Sequence, residues 1–122
     1  MSAIKDGRCP ITLDRERKII FDLNVLDEVN DRFGGFEKLA EKLSGKDGPK
    51  NLRWLATIML NEAMDDGETP LTEKQVGKMI HSGNLVYVKN AIFAAISHGN
   101  SGDEEPEETE DDEGNGKTGQ ME

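Results

Sequence analysis

The chain has 122 residues, with 15 Lys and Arg against 25 Asp and Glu and a formal net charge of −10; this suits one small domain and excludes a large multidomain enzyme. Residues 1–98 hold 41 of the 42 apolar residues and are nearly neutral, with 14 Lys and Arg against 15 Asp and Glu, so they can bury a core. Residues 99–122 hold one apolar residue, Met121, and ten acids against Lys117, a composition that cannot offset the entropy of folding and is expected to form a disordered acidic tail.

From Pro10 to Phe21, the β-branched stretches Ile11-Thr12-Leu13 and Ile19-Ile20-Phe21 flank a polar middle, which predicts a small β-hairpin or two extended arms. Within that middle, Arg15, Arg17 and Lys18 alternate with Asp14 and Glu16 and read as a solvated turn. Asp22 is placed to N-cap a helix over 23–33, whose apolar stripe is Leu23, Leu26, Val29 and Phe33 with Asn30 beside it, and Gly34-Gly35 is its stop signal. Phe36, Leu39, Ala40 and Leu43 give a second, shorter stripe closed by Ser44-Gly45.

Gly48-Pro49 marks the next start, because proline fits a first helical turn where its missing N–H is not needed. From Asn51 to Met64, Leu52, Leu55, Ala56, Met59 and Ala63 form one stripe that Trp54, Ile58 and Leu60 widen. So wide an apolar face predicts a central helix touched on more than one side. After the breaker Asp65 to Pro70, Thr72-Glu73-Lys74-Gln75 has the T-x-x-Q form of a capping box, opening a helix from about Glu73 to His81 with Val76, Met79 and Ile80 inward and Gly77 allowing a neighbour close. Ser82-Gly83-Asn84 ends it. Leu85, Val88, Ala91, Ile92, Ala95 and Ile96 then define a last helix that stops at Gly99. The expected fold is mainly α: a five-helix domain over 1–98 with a short N-terminal hairpin, followed by the acidic tail over 99–122.

Candidates for chemistry are few. Cys9 is the single cysteine, so no intramolecular disulfide is expected and the composition fits a reducing, cytoplasmic compartment. Neither a thiol–imidazole pair nor a zinc site is expected of Cys9, His81 and His98, whose spacing has no recognisable context. Asp65, Asp66 and Glu68 around Gly67 lack the order of a calcium loop, and Gly116-Lys117-Thr118 lacks the first glycine of a phosphate-binding loop, since Asp111 stands there. No catalytic residue, cofactor or metal is assigned. Direct nucleic-acid binding is not expected of an acidic chain, and no apolar run approaches the roughly 18 residues that span a membrane. The N-terminus also lacks the apolar core of a signal peptide.

More telling are Trp54, Met59, Met64, Met79, Tyr87, Ile92 and Phe93. A domain of this size has a small interior, and methionines adapt to irregular partners, so this set is expected to supply a partner or oligomer surface as well as core.

The sequence of phrases is itself informative. Ile11-Thr12-Leu13-Asp14-Arg15-Glu16-Arg17, then Phe21-Asp22-Leu23-Asn24-Val25-Leu26, then Phe33-Gly34-Gly35, and finally Pro70-Leu71-Thr72-Glu73-Lys74-Gln75-Val76 resemble, in order, the signature of the tail assembly chaperones of long-tailed phages and prophages. Members of that family show a short β-like stretch, a phrase similar to F-D-L-N-A-L, a helix ending in a F/Y-G pair, and a P-L-T-x-x-x-V phrase. Val25 stands here where a small alanine is common. The resemblance spans roughly residues 10–98. It implies a non-enzymatic, cytoplasmic, self-associating protein that binds the long, helical tape-measure protein, is displaced when tail-tube subunits compete for it, and is absent from the finished virion. It further implies a minor longer product made by a programmed ribosomal frameshift, for which Gly116-Lys117 permits a slippery codon run and the acidic tail serves as a linker. A structural head–tail or tail completion component is the alternative. An acidic DNA mimic ranks below both, because most of the negative charge lies in the tail.

Overall fold

The computed structural model describes residues 7–101. Two antiparallel strands, β1 (Cys9–Thr12) and β2 (Glu16–Ile19), precede five α-helices: α1 (Leu23–Phe33), α2 (Leu39–Ser44), α3 (Gly48–Glu62), α4 (Glu73–Met79) and α5 (Leu85–Ser101). A single 3-10 turn, Phe36–Lys38, leads into α2. The chain is therefore mainly helical with a short hairpin, as its periodicities predict. The proposed disordered tail beyond Ser101 and the Gly116-Lys117-Thr118 motif lie outside the described residues.

The hairpin pairs Cys9 with Ile19 and Ile11 with Arg17, so the two-residue period of a strand turns Ile11 and Ile19 into the core while Pro10, Thr12, Glu16 and Lys18 face out. Arg17 sits on the inward side of β2. The expected solvated turn is corrected at this residue: its side chain is only 10% exposed and is held by Asp14, with Nε donating at 2.7 Å and Nη2 at 2.9 Å. Where β2 ends, the Ile20 amide donates to the Met59 carbonyl of α3, fastening the hairpin to the central helix.

Helix α1 starts where Asp22 accepts the Val25 amide, and it ends at Gly34, whose left-handed conformation lets its amide reach the Asn30 carbonyl. Its inner face differs from the expected stripe. Val25, Val29 and Phe33 are buried and Leu26 half-buried, whereas Leu23 in the first turn is 77% exposed. Val25 is thus fully accommodated where the family resemblance prefers a smaller residue. Phe33 meets Trp54 edge-on at 5.4 Å between centroids, Arg32 lies 4.5 Å over the same indole, and Phe21 packs against Phe36 at 5.7 Å.

Helix α3 is central: it packs against β2, α1, α2 and α4, which is why Leu52, Trp54, Leu55, Ala56, Met59 and Leu60 are all buried on more than one side of one helix. Its buried polar groups are satisfied. Thr57 donates to the Arg53 carbonyl one turn back and Asn51 to the Lys42 carbonyl. At the far end, Asn61 grips the backbone of Leu71 from both sides, donating to its carbonyl at 2.9 Å and accepting its amide at 2.8 Å. The capping box forms as expected, with Thr72 accepting the Gln75 amide and Gln75 accepting the Thr72 amide. Gly77 lets the Arg53 stem lie across α4.

Two helix ends move from their expected places. Helix α4 stops at Met79 rather than His81, because Asn84 donates to the Met79 carbonyl and accepts the His81 amide, bending the chain into a turn before another helical residue is added. Helix α5 runs through Gly99 to Ser101. Gly99 answers a packing demand instead of a stop signal: a Cβ there would collide with the Phe21 carbonyl oxygen. Of the expected stripe of α5, Val88, Ile92, Ala95 and Ile96 are buried, while Leu85 and Ala91 are half-buried.

Candidate partner-binding surface

The structure sorts the seven sequence-selected residues into three groups. Trp54 and Met59 on α3 and Ile92 on α5 are core, at 8%, 0% and 0% exposure, so as partner contacts they are withdrawn. Met64 and Met79 are half-buried. Tyr87 and Phe93 remain on the surface, at 46% and 39% exposure.

Around these two, α5 presents a face that the sequence reading missed. Val86 is 69% exposed, and at about 100° per residue it shares one stripe with Asn90, Phe93 and Ser97, flanked by Tyr87 and Ala94. All six are exposed and uncharged, and the half-buried Lys89 lies at the edge of the face beside Phe93. Three large apolar side chains, Val86, Tyr87 and Phe93, stand exposed on this face, which makes it a candidate contact face. The signal was present in the sequence. Val86, Tyr87 and Phe93 fall between the stripe positions of α5, and apolar residues there make the helix apolar on both sides.

Tyr87 also fixes this face relative to the hairpin, its hydroxyl accepting the Thr12 amide at 2.8 Å. Beyond that bond lies an open groove of about 510 Å³ between the hairpin turn and α4, with Leu13, Leu71 and Met79 as its apolar floor and Gln75, Lys78 and His81 at its rim. Met64 lines a smaller cavity of about 120 Å³ on the other side of Arg17, beside Arg8, which is paired with Asp65 at 2.7 Å.

The ionisable groups of this region act structurally. The hydrogen bonds from Arg17 hold the Asp14 carboxyl well below its usual value of 3.8, at about 2, and Asp14 raises Arg17 in turn. Because the folded value is the lower one, the stabilisation is fully present above the ordinary carboxylate range and is lost as pH falls towards about 2. Asp14→Asn is accordingly expected to lower the urea midpoint near neutral pH and to leave it close to that of the unaltered chain at about pH 2. The effect is small, since Asp14 is 45% exposed.

Cys9, half-buried at the start of β1, has its thiol pushed up by burial, the direction opposite to that of an activated thiolate. His81 is engaged in the α4–α5 link, its Nδ1 accepting the Gly83 amide at 3.1 Å. Glu62, which accepts from Asn24, is raised chiefly by its hydrogen bond with Asp22. Among the described residues, no three His, Cys, Asp or Glu side chains converge on a metal position, and no helix is long and apolar enough to cross a membrane.

Comparison with protein-family models, with curated proteins and with solved structures gives no match. The functional reading therefore rests on the residues and their placement.

Proposed function

We propose that this protein is a phage tail assembly chaperone, which covers the apolar helical surface of a tape-measure protein in the host cytoplasm until tail-tube subunits replace it. The observation that carries the reading is the exposed apolar side chains on the outer face of α5, with Val86 69%, Tyr87 46% and Phe93 39% exposed. A long tape-measure chain exposes apolar helix faces that aggregate unless a small protein covers them. An exposed helix face about 16 Å long, from Val86 to Ser97 at roughly 1.5 Å per residue, suits side-by-side contact with such a helix.

The resemblance phrases occupy structural positions that make sense of them. Phe21-Asp22-Leu23-Asn24 delivers the core residue Phe21 and the N-cap of α1, Phe33-Gly34-Gly35 forms its C-cap, and Pro70-Leu71-Thr72 leads through the Asn61 clamp into the capping box.

The test is co-expression with the long helical protein encoded downstream and purification through that partner. The unaltered chain is expected to co-purify in a stoichiometric complex. Val86→Asp combined with Phe93→Asp is expected to keep the far-UV circular dichroism of the unaltered chain and to weaken the complex by more than about tenfold, the effect of losing about 1.4 kcal/mol or more at a desolvated contact. Undiminished binding by the double variant removes α5 as the contact face. Recovery of the chain from finished particles instead of from the complex sinks the chaperone reading and favours the structural-component alternative.

A further inference from the structure

The charges of the folded body are segregated. From Asp22 to Glu37 five acids face one base, Arg32, whereas from Lys38 to Arg53 five bases face only Glu41 and Asp47. Lys38, Lys42, Lys46 and Lys50 recur every four residues along the 3-10 turn, α2, the α2–α3 link and the first turn of α3. None of the four makes an ion pair among the described residues, and neither does Arg32; Arg8, Arg17 and Arg53 by contrast pair with Asp65, Asp14 and Glu73. Arg32, Lys42 and Lys46 line a groove of about 330 Å³ with Glu41, Asp47, Asn51 and Phe33.

The end of α5 connects to the start of this basic stretch through two aromatic residues. Gly99 sits against the Phe21 carbonyl, the Phe21 ring packs on Phe36 at 5.7 Å, and Phe36 opens the turn that ends at Lys38. Two residues past Ser101 comes Asp103, the first of nine acids between 103 and 113. At roughly 3.3–3.6 Å per residue, eleven extended residues reach up to about 40 Å, enough to follow the row of lysines. Opposite charges brought well within a Debye length of about 8 Å are only partly screened at physiological salt.

We infer that the acidic segment 103–113 docks, within its own chain, on the basic corner formed by Arg32, Lys38, Lys42, Lys46 and Lys50. The chain thereby neutralises its own cationic patch and keeps that corner from collecting other polyanions.

Carbodiimide coupling of the full-length chain tests this, because it joins a carboxylate to an amine only where the two touch. Peptide mass spectrometry is expected to find amide links from 103–113 to Lys38, Lys42, Lys46 and Lys50 severalfold in excess over links to Lys18, Lys74, Lys78 and Lys89. High salt should reduce the former severalfold, and Lys42→Glu with Lys46→Glu should reduce the links to the remaining Lys38 and Lys50 severalfold. In an equal mixture of 15N-labelled and unlabelled chains, the links should stay within one isotopic species. Links spread evenly over all lysines, absent from the four, insensitive to the charge reversal, or joining labelled to unlabelled chains each overturn the inference.

Discussion

A chain carrying Met59→Asp together with Ile92→Asp is expected to lose cooperative folding altogether. Both side chains are 0% exposed and belong to the one continuous core. Truncation alone, as in Ile92→Ala, removes about 2–5 kcal/mol, a large part of the roughly 5–15 kcal/mol that holds a typical domain. A carboxylate in the same place adds the cost of burying an unpaired charge. Met59 is also the residue whose carbonyl receives the Ile20 amide, so disturbing α3 there detaches the hairpin as well. Circular dichroism and urea titration should show an unfolded baseline for the double variant and a normal transition for Val86→Asp with Phe93→Asp. A folded Met59→Asp, Ile92→Asp chain would mean that these two positions are not part of the core.

That contrast shows how far the sequence can be read. Where one periodic stripe coincides with one signal at each end, as in α1 between Asp22 and Gly34, the boundaries are recovered to the residue. The stripe of α1 is legible only in part, because a helix of eleven residues with apolar side chains at Leu23, Val25 and Leu26 fits two neighbouring faces equally well, and the choice between them is made by packing against α3. The ends of α4 and α5 are set by tertiary demands. A side chain of the following turn, Asn84, captures the last carbonyl of α4, and the approach of Phe21 requires Gly99 inside a helix where local rules read a terminator.

The candidate site is harder to read for the same reason. Met59 and Phe93 are both apolar residues at helical spacing, and only the number of elements around each helix decides which is covered. Helix α3 has neighbours on several sides, so all but one of its apolar residues are buried and even Ile58 is half-covered. Helix α5 leaves one long side open, and its second apolar stripe is left facing outward. Apolar residues on both sides of a helix thus mean core in one case and candidate contact surface in the other.

Gly48→Ala is expected to destabilise the domain by about 1–3 kcal/mol, the typical cost of forcing extra atoms into a packed site. Local terms point the other way. Gly48 opens α3, and alanine in place of a helical glycine gains up to about 1 kcal/mol from lower backbone freedom in the unfolded chain. The space is what is missing. A Cβ at this position lies 2.5 Å from the Leu43 carbonyl oxygen and 3.1 Å from its carbon, both backbone atoms that cannot swing aside. Leu43 is itself core at 5% exposure, and the neighbouring Lys42 carbonyl is held by Asn51 at 2.8 Å, so relieving the clash moves the whole α2–α3 corner. Gly45→Ala serves as the control. Its backbone is extended at φ −85° and ψ −163°, and its Cβ would stand 3.4 Å from the Glu41 carbonyl oxygen, an ordinary contact with no strain to pay. Urea titration of the two variants should therefore separate them, with Gly48→Ala shifted to a clearly lower midpoint and Gly45→Ala near the unaltered chain. A stabilised Gly48→Ala would show that α2 and α3 do not approach as closely as the shared corner requires, and the Lys42 and Lys46 groove built on that corner would have to be redrawn.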